Sequence, residues 1–220
     1  MEKQTLREKA GTVAGFATGK IARLQDGLLG AGAGAPAARA SLAKLRRLGT
    51  MAGDGWMSVG DQLFEGWPEE KLGQPVLLDG RPTRELMAVQ AALCFYGVHQ
   101  QSQKRPMAMD GRKVDDGAYN GAFGWACRRI EQNRVSSGGV QRRLACIEGA
   151  ADFDGVLYHV KSLIVRLKGE GVPLDYYFFA RDLYLLQFDA VRDSVYARWA
   201  QDYYLGRYAE KGPEDSSATK

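Results

Sequence analysis

The stretch DFDGVLYHVKSLIVRLKGEGVPLDYYFFARDLYLLQFDAVRDSVYARWAQDYY, residues 152–204, decides the fold. Phe153, Val156, Leu157, Val160, Leu163, Ile164 and Leu167 recur at steps of three and four. That spacing is one apolar stripe of an α-helix. Gly169 and Gly171 stop it, and Pro173 forbids its continuation. Asp175 is placed to cap a second helix, with Phe179, Leu183 and Leu186 on its buried face. Asp189 starts a third, carrying Val191, Val195 and Trp199. The gaps are short, so the three helices are expected to be antiparallel neighbours in a small bundle.

Outward from this block the helical pattern persists. Residues 11–29 place Val13, Phe16, Ala17, Ile21, Leu24 and Leu28 on a mixed apolar face. Gly15, Gly19 and Lys20 sit one residue short of a phosphate loop, and Ile21 occupies its Ser/Thr position, so no such loop is present. Gly30 to Ala35 forms a hinge, and Pro36 suits the first turn of the next helix. There Ala38, Leu42 and Leu45 face inward. Arg39 and Arg46, seven residues apart, share nearly one azimuth beside that stripe, while Lys44 and Arg47 point away. Four cations without an acid on a short helix are poorly explained by pairing along the helix.

Residues 49–81 form an acidic, Gly-rich excursion. Trp56, Leu63, Phe64 and Trp67 are expected to pin it, with one short helix near 59–64. Thr83 caps a long helix reaching to about Ser102, with Leu86, Val89, Leu93 and Tyr96 inward. A polar stretch with Lys104, Arg105, Arg112 and Lys113 follows and is expected to be mobile. Tyr119 to Arg134 resumes helix. After Ser136 and Ser137, Val140 to Glu148 makes another, with Arg142 opposite the buried face and Arg143 flanking it. No segment alternates convincingly with period two. The expected fold is all-α: two small helical bundles of eight to nine helices, an N-terminal one over 1–103 and a C-terminal one over 119–208. A mobile basic loop at 104–118 separates them, and a disordered polar tail occupies 209–220.

The chain has 220 residues, 45% of them apolar and 25% charged, enough for a core. No apolar run suits a membrane span, and the first ten residues lack a signal-peptide core. Cys94, Cys127 and Cys146 stand apart, as reduced thiols in a cytoplasmic protein do. Net charge is +4, distributed as +6 over 1–50, −5 over 51–80, +5 over 81–150 and −2 over 151–220. Two basic regions flanking an acidic one can form phosphate-binding patches.

His99 and His159 are the only imidazoles, and both read as structural or solvated. Asp115–Asp116 and Asp152–Asp154 read as turn and helix-start residues rather than metal ligands. No hydrolase, zinc or carboxylate-helix motif is present, so neither an enzyme nor a cofactor or metal is expected.

Several pieces, in this order, resemble the Cse2/CasB family, the small subunit of the type I-E CRISPR surveillance complex, Cascade. They are Lys20-Ile-Ala-Arg-Leu24, Leu42-Ala-Lys-Leu-Arg-Arg47, Ala91 to Phe95, Gly121-Ala-Phe-Gly124 and Val140-Gln-Arg-Arg-Leu144. The end matches best, in Gly171 to Tyr176, Ala180 to Tyr184 and Arg198 to Tyr204. The resemblance covers residues 13–205. The 30–35 stretch, the acidic excursion and the tail depart from it.

The resemblance implies a non-catalytic subunit that pairs with a second copy of itself. Its other partners would be larger backbone subunits, the large subunit, a guide RNA and the target and non-target DNA strands. It implies backbone-gripping roles for Lys44, Arg46, Arg47, Arg142, Arg143, Lys161 and Arg192. Lys104, Arg105, Arg112 and Lys113 form a second tier. The alternatives are a helical assembly protein binding only protein through Tyr176, Tyr177, Tyr196, Tyr203 and Tyr208, or a stand-alone DNA binder. The latter needs a groove-reading helix, which the sequence lacks.

Overall fold

The computed structural model describes residues 5–30, 33–48, 55–115, 118–131 and 139–205. The expected polar tail, Tyr208, Asp116, Ser136, Ser137 and the end of the 119–134 helix lie outside the described residues. Within them are ten α-helices: α1 (Leu6–Leu29), α2 (Ala35–Leu48), α3 (Trp56–Leu63), α4 (Glu69–Leu72), α5 (Arg84–His99), α6 (Phe123–Arg129), α7 (Gly139–Glu148), α8 (Phe153–Glu170), α9 (Tyr176–Leu185) and α10 (Asp189–Leu205). The all-α fold is therefore as the sequence predicts. The short α4 takes the count above eight or nine.

Local chemistry sets the boundaries. Thr5 and Glu8 form a reciprocal capping box, so α1 starts earlier than its apolar stripe suggests. Thr83 accepts from the Leu86 amide and opens α5. Asp152 accepts from the Gly155 amide at the start of α8. That helix runs through Gly169 and ends where Gly171 takes φ 59, a left-handed cap that costs glycine least. Asp175 accepts from the amides of Tyr177 and Phe178 and opens α9.

The last three helices do not close into a bundle by themselves. α8 lies mainly against α5 and α7, α10 mainly against α6, and α9 mainly against α1 and α5, although α10 also meets α9 where Arg198 and Trp199 donate to Asp182 at 2.7 and 2.8 Å. The reason is aromatic. Phe179 of α9 meets Phe95 of α5 with ring centroids 5.9 Å apart, and Tyr176 meets Tyr96 at 5.4 Å. Tyr184 donates a 2.8 Å hydrogen bond to Glu85. One continuous core results, running from Ala10 in α1 to Tyr203 in α10.

The acidic excursion is pinned as expected. Leu63 is fully buried, Trp67 meets Phe16 edge-on at 5.3 Å, and Trp56 stacks on Phe64 at 6.1 Å. Buried Lys20 donates to the Asp61 carbonyl at 2.7 Å from the α1 side.

Residues 104–115 correct the expectation of a loose loop. Met107 is fully buried. Ala108–Met109 (β1) and Leu174–Asp175 (β2) form a two-residue parallel ladder. Asp175 also accepts from the Gly111 amide at 2.8 Å, and its burial raises its carboxyl pKa. One apolar anchor and satisfied backbone groups hold the segment, although its composition is polar.

Candidate nucleic-acid interface

Cations on a helix surface can hold phosphate only if they are exposed and not neutralised by their own carboxylates. The structure sorts the predicted residues by this test.

On α2, Lys44 and Arg47 are exposed and form no ion pair among the described residues. Arg46 is half-buried, and a terminal nitrogen of its guanidinium donates to the Gly97 carbonyl of α5 at 3.3 Å. Cys94 of α5 donates to the Leu45 carbonyl at 3.1 Å, holding the same two helices together. Burial pushes that thiol up to about 12, opposed by the charge of Lys161 on α8. Lys161 is itself exposed and without a carboxylate partner among the described residues. Thus α2 carries Lys44, Arg46 and Arg47, and α8, which packs on the same α5, carries Lys161.

The turn after α5 adds Lys104. Gln100, nearly fully buried, builds this turn. Its amide nitrogen donates to the carbonyls of Gln103 and Arg105 at 3.2 and 3.0 Å, and its oxygen accepts from the Met107 amide at 2.9 Å. Gln103 then donates to the Lys168 carbonyl at 2.8 Å and ties the turn to the end of α8. Lys104 projects from this support into solvent. Together with Arg46 and Arg39 it lines a cleft of about 660 Å³ between the end of α1, α2 and the turn. Arg39 is exposed and unpaired among the described residues and was not among the predicted site residues. Its seven-residue spacing from Arg46 was the signal that could have included it.

On α7, Arg142 and Arg143 are both exposed and without ion-pair partners among the described residues. They stand on α7, which packs mainly on α8, whereas α2 packs mainly on α1 and α5.

Four predicted residues are engaged within the fold instead. Arg105 donates to the Gly171 carbonyl at the end of α8. Arg112 makes a two-point contact with Asp110 at 2.9 and 3.2 Å and lies over the Tyr177 ring at 5.0 Å. That guanidinium lowers the pKa of Asp110. Lys113 stands 3.6 Å from the same carboxylate. Arg192 pairs with Asp189 at 3.0 Å and lies 4.0 Å from Asp193. Sequence spacing could not reveal these partners for Arg105, since Gly171 lies far along the chain.

Among the described residues His99 gives no second site. His99 is fully buried, its Nε2–H donating to the Val172 carbonyl at 3.0 Å and its Nδ1 accepting from Tyr176 at 3.1 Å. Burial lowers its pKa to about 4, so the ring is neutral. No group of three or more His, Cys, Asp or Glu side chains among the described residues could hold a metal ion. No helix among them is long and apolar enough to cross a membrane.

The model of the family described as CRISPR-associated protein Cse2 matches residues 41–204. Among solved structures, that of CasB from Thermobifida fusca is similar in fold, with a TM-score of 0.66 at 20% identity, covering 87% of this chain and 97% of its own. No curated protein matches the chain.

Proposed function

This chain belongs to the CRISPR-associated Cse2 family, and from that premise we propose that it is a non-catalytic small subunit of a type I-E Cascade ribonucleoprotein in the cytoplasm. It pairs with a second copy of itself and sits beside larger subunits and a guide RNA. It steadies the guide RNA–target hybrid and the displaced non-target strand, and so serves antiviral defence. The observation that carries this reading is a set of six cations, Lys44, Arg47, Lys104, Arg142, Arg143 and Lys161, exposed and without a carboxylate partner among the described residues.

The physical logic follows from energy balance. Replacing a DNA duplex by an RNA–DNA hybrid is nearly neutral, so contacts to the sugar–phosphate backbone decide whether the opened state persists. Such contacts require charge and no base-reading geometry. The sequence is read by the guide. The acidic excursion is unsuited to phosphate. Its hairpin, closed by the Val76–Pro82 bridge, presents exposed Leu77 and Leu78, which suit a protein partner.

The test is co-expression of the tagged chain with a guide RNA and the larger subunits. Recovery as a stoichiometric ribonucleoprotein, whose opening of a guide-matched duplex drops when this chain is omitted, is the expected result. Recovery of the chain alone, or opening that does not depend on it, would overturn the reading.

A further inference from the structure

The cleft between α1, α2 and the turn after α5 offers more than charge. Alongside Arg39, Arg46 and Lys104 it is lined by the apolar side chains of Leu28 and Leu29 and by the polar groups of Gln101 and Ser102. No carboxylate of the described residues lines it. Side chains that only grip a backbone need no concavity and no apolar wall. A nucleotide needs three things together: cations for phosphate, an apolar surface for the face of the base, and amide or hydroxyl groups for its edge.

The turn wall is prepared in advance. Ser102 takes φ 63, the one positive value at a non-glycine residue among the described residues. Such strain persists where the surroundings over-determine it, and it concentrates at ligand sites. Here the Gln100 side chain supplies that determination through its bonds to Gln103, Arg105 and Met107. The side chains of Gln101 and Ser102 are exposed and make no hydrogen bond among the described residues. They are therefore available to a ligand. A volume of about 660 Å³ falls within the usual range for a small-ligand site, about 300–1,000 Å³.

We propose that this cleft takes one unstacked nucleotide of a single strand, its base against Leu28 and Leu29, its phosphates between Arg39, Arg46 and Lys104, and its edge against Gln101 and Ser102. The inference deepens the nucleic-acid reading above and rests on it. A paired base shows no free face to a concave site, so the ligand is an unpaired stretch and not a duplex. Gln and Ser reach any base edge, so the site tolerates all sequences.

Anisotropy titrations of the full chain at low salt test this with two probes of equal length and charge: a single-stranded oligothymidine and the same backbone with abasic residues. The thymidine probe should bind about tenfold tighter, since only it presents a base face to Leu28 and Leu29 and an edge to Gln101 and Ser102. Leu29→Gln and Gln101→Ala, both at exposed or half-exposed positions, should each remove most of that preference while leaving abasic affinity unchanged. Arg39→Ala should weaken both probes alike. Equal binding of the two probes, or a preference that survives in both variants, overturns the cleft and leaves backbone gripping intact. Binding of neither probe overturns both.

Discussion

Replacing Arg142 and Arg143 together by alanine separates charge that binds from charge that folds. Both side chains are exposed and unpaired among the described residues, so the double variant should keep its stability to within about 0.5 kcal/mol. For a chain of this size that is a melting shift of no more than about 2 °C. Binding should change in a specific way. Each neutralised phosphate contributes about −0.9 to the slope of log K against log salt on duplex DNA, and about −0.7 on a single strand. Losing two such contacts flattens the slope by about 1.4 to 1.8. Between about 50 and 200 mM salt, the wild-type advantage over the variant should then shrink roughly sevenfold to twelvefold. Anisotropy titration across that range, on mixed-sequence DNA, reads this directly. Arg105→Ala is the control. It leaves the Gly171 carbonyl without its donor and should cost about 1–2 kcal/mol of stability. An unchanged salt slope in the double variant, or a melting loss equal to that of Arg105→Ala, would refute the assignment of the α7 arginines to phosphate.

Three further outcomes follow from the fold. His99 should make the protein acid-sensitive: the unfolded ring takes a proton near pH 6.5 while the folded ring resists it to about 4, so its contribution is complete above pH 6.5 and lost as pH falls toward 4. The loss amounts to about 3 kcal/mol; urea titrations from pH 7 to 4.5 should show His99→Gln with a shallower acid slope, and parallel profiles would contradict this. Gly124→Ala should fail to fold normally or lose more than about 2 kcal/mol, because an added methyl overlaps the Trp199 carbonyl where α6 crosses α10; thermal melting decides. Tyr184→Phe removes the 2.8 Å bond to Glu85 that links α9 to α5 and should cost about 1–2 kcal/mol by chemical denaturation, and a neutral result would mean that Lys9, 3.6 Å from the same carboxylate, compensates fully.

Local signals in the sequence carried most of the fold. Helix periodicity and the caps at Thr83, Asp152 and Asp175 depend on neighbours within four residues, and the structure places those caps where the spacing does. The Thr5–Glu8 capping box is equally local, but it precedes the apolar stripe of α1, which begins further along. What stayed illegible was long-range. Composition makes 104–115 look loose, yet Met107, the ladder to Leu174 and the Gln100 amide hold it. The last three helices do not form a bundle of their own because the aromatic face of α9 finds Phe95 and Tyr96, although α10 still meets α9 at Asp182. Among the cations, exposure was readable from helix phase at Lys44, Arg47, Arg142 and Arg143. Pairing is not readable where the partner comes from another part of the chain, as for Arg105, whereas for Arg192 the partner Asp189 sits only three residues away.

The seating of α9 over α1 and α5 also governs how the protein is made. During synthesis α1 and α5 emerge early, with apolar faces whose cover ends at Leu185. Until the ribosome has released that segment, the first half has no closed interior and depends on transient association to avoid aggregation. A product ending before α9 would therefore leave the apolar faces of α1 and α5 uncovered, so the first half of the fold is completed only by a segment made long after it.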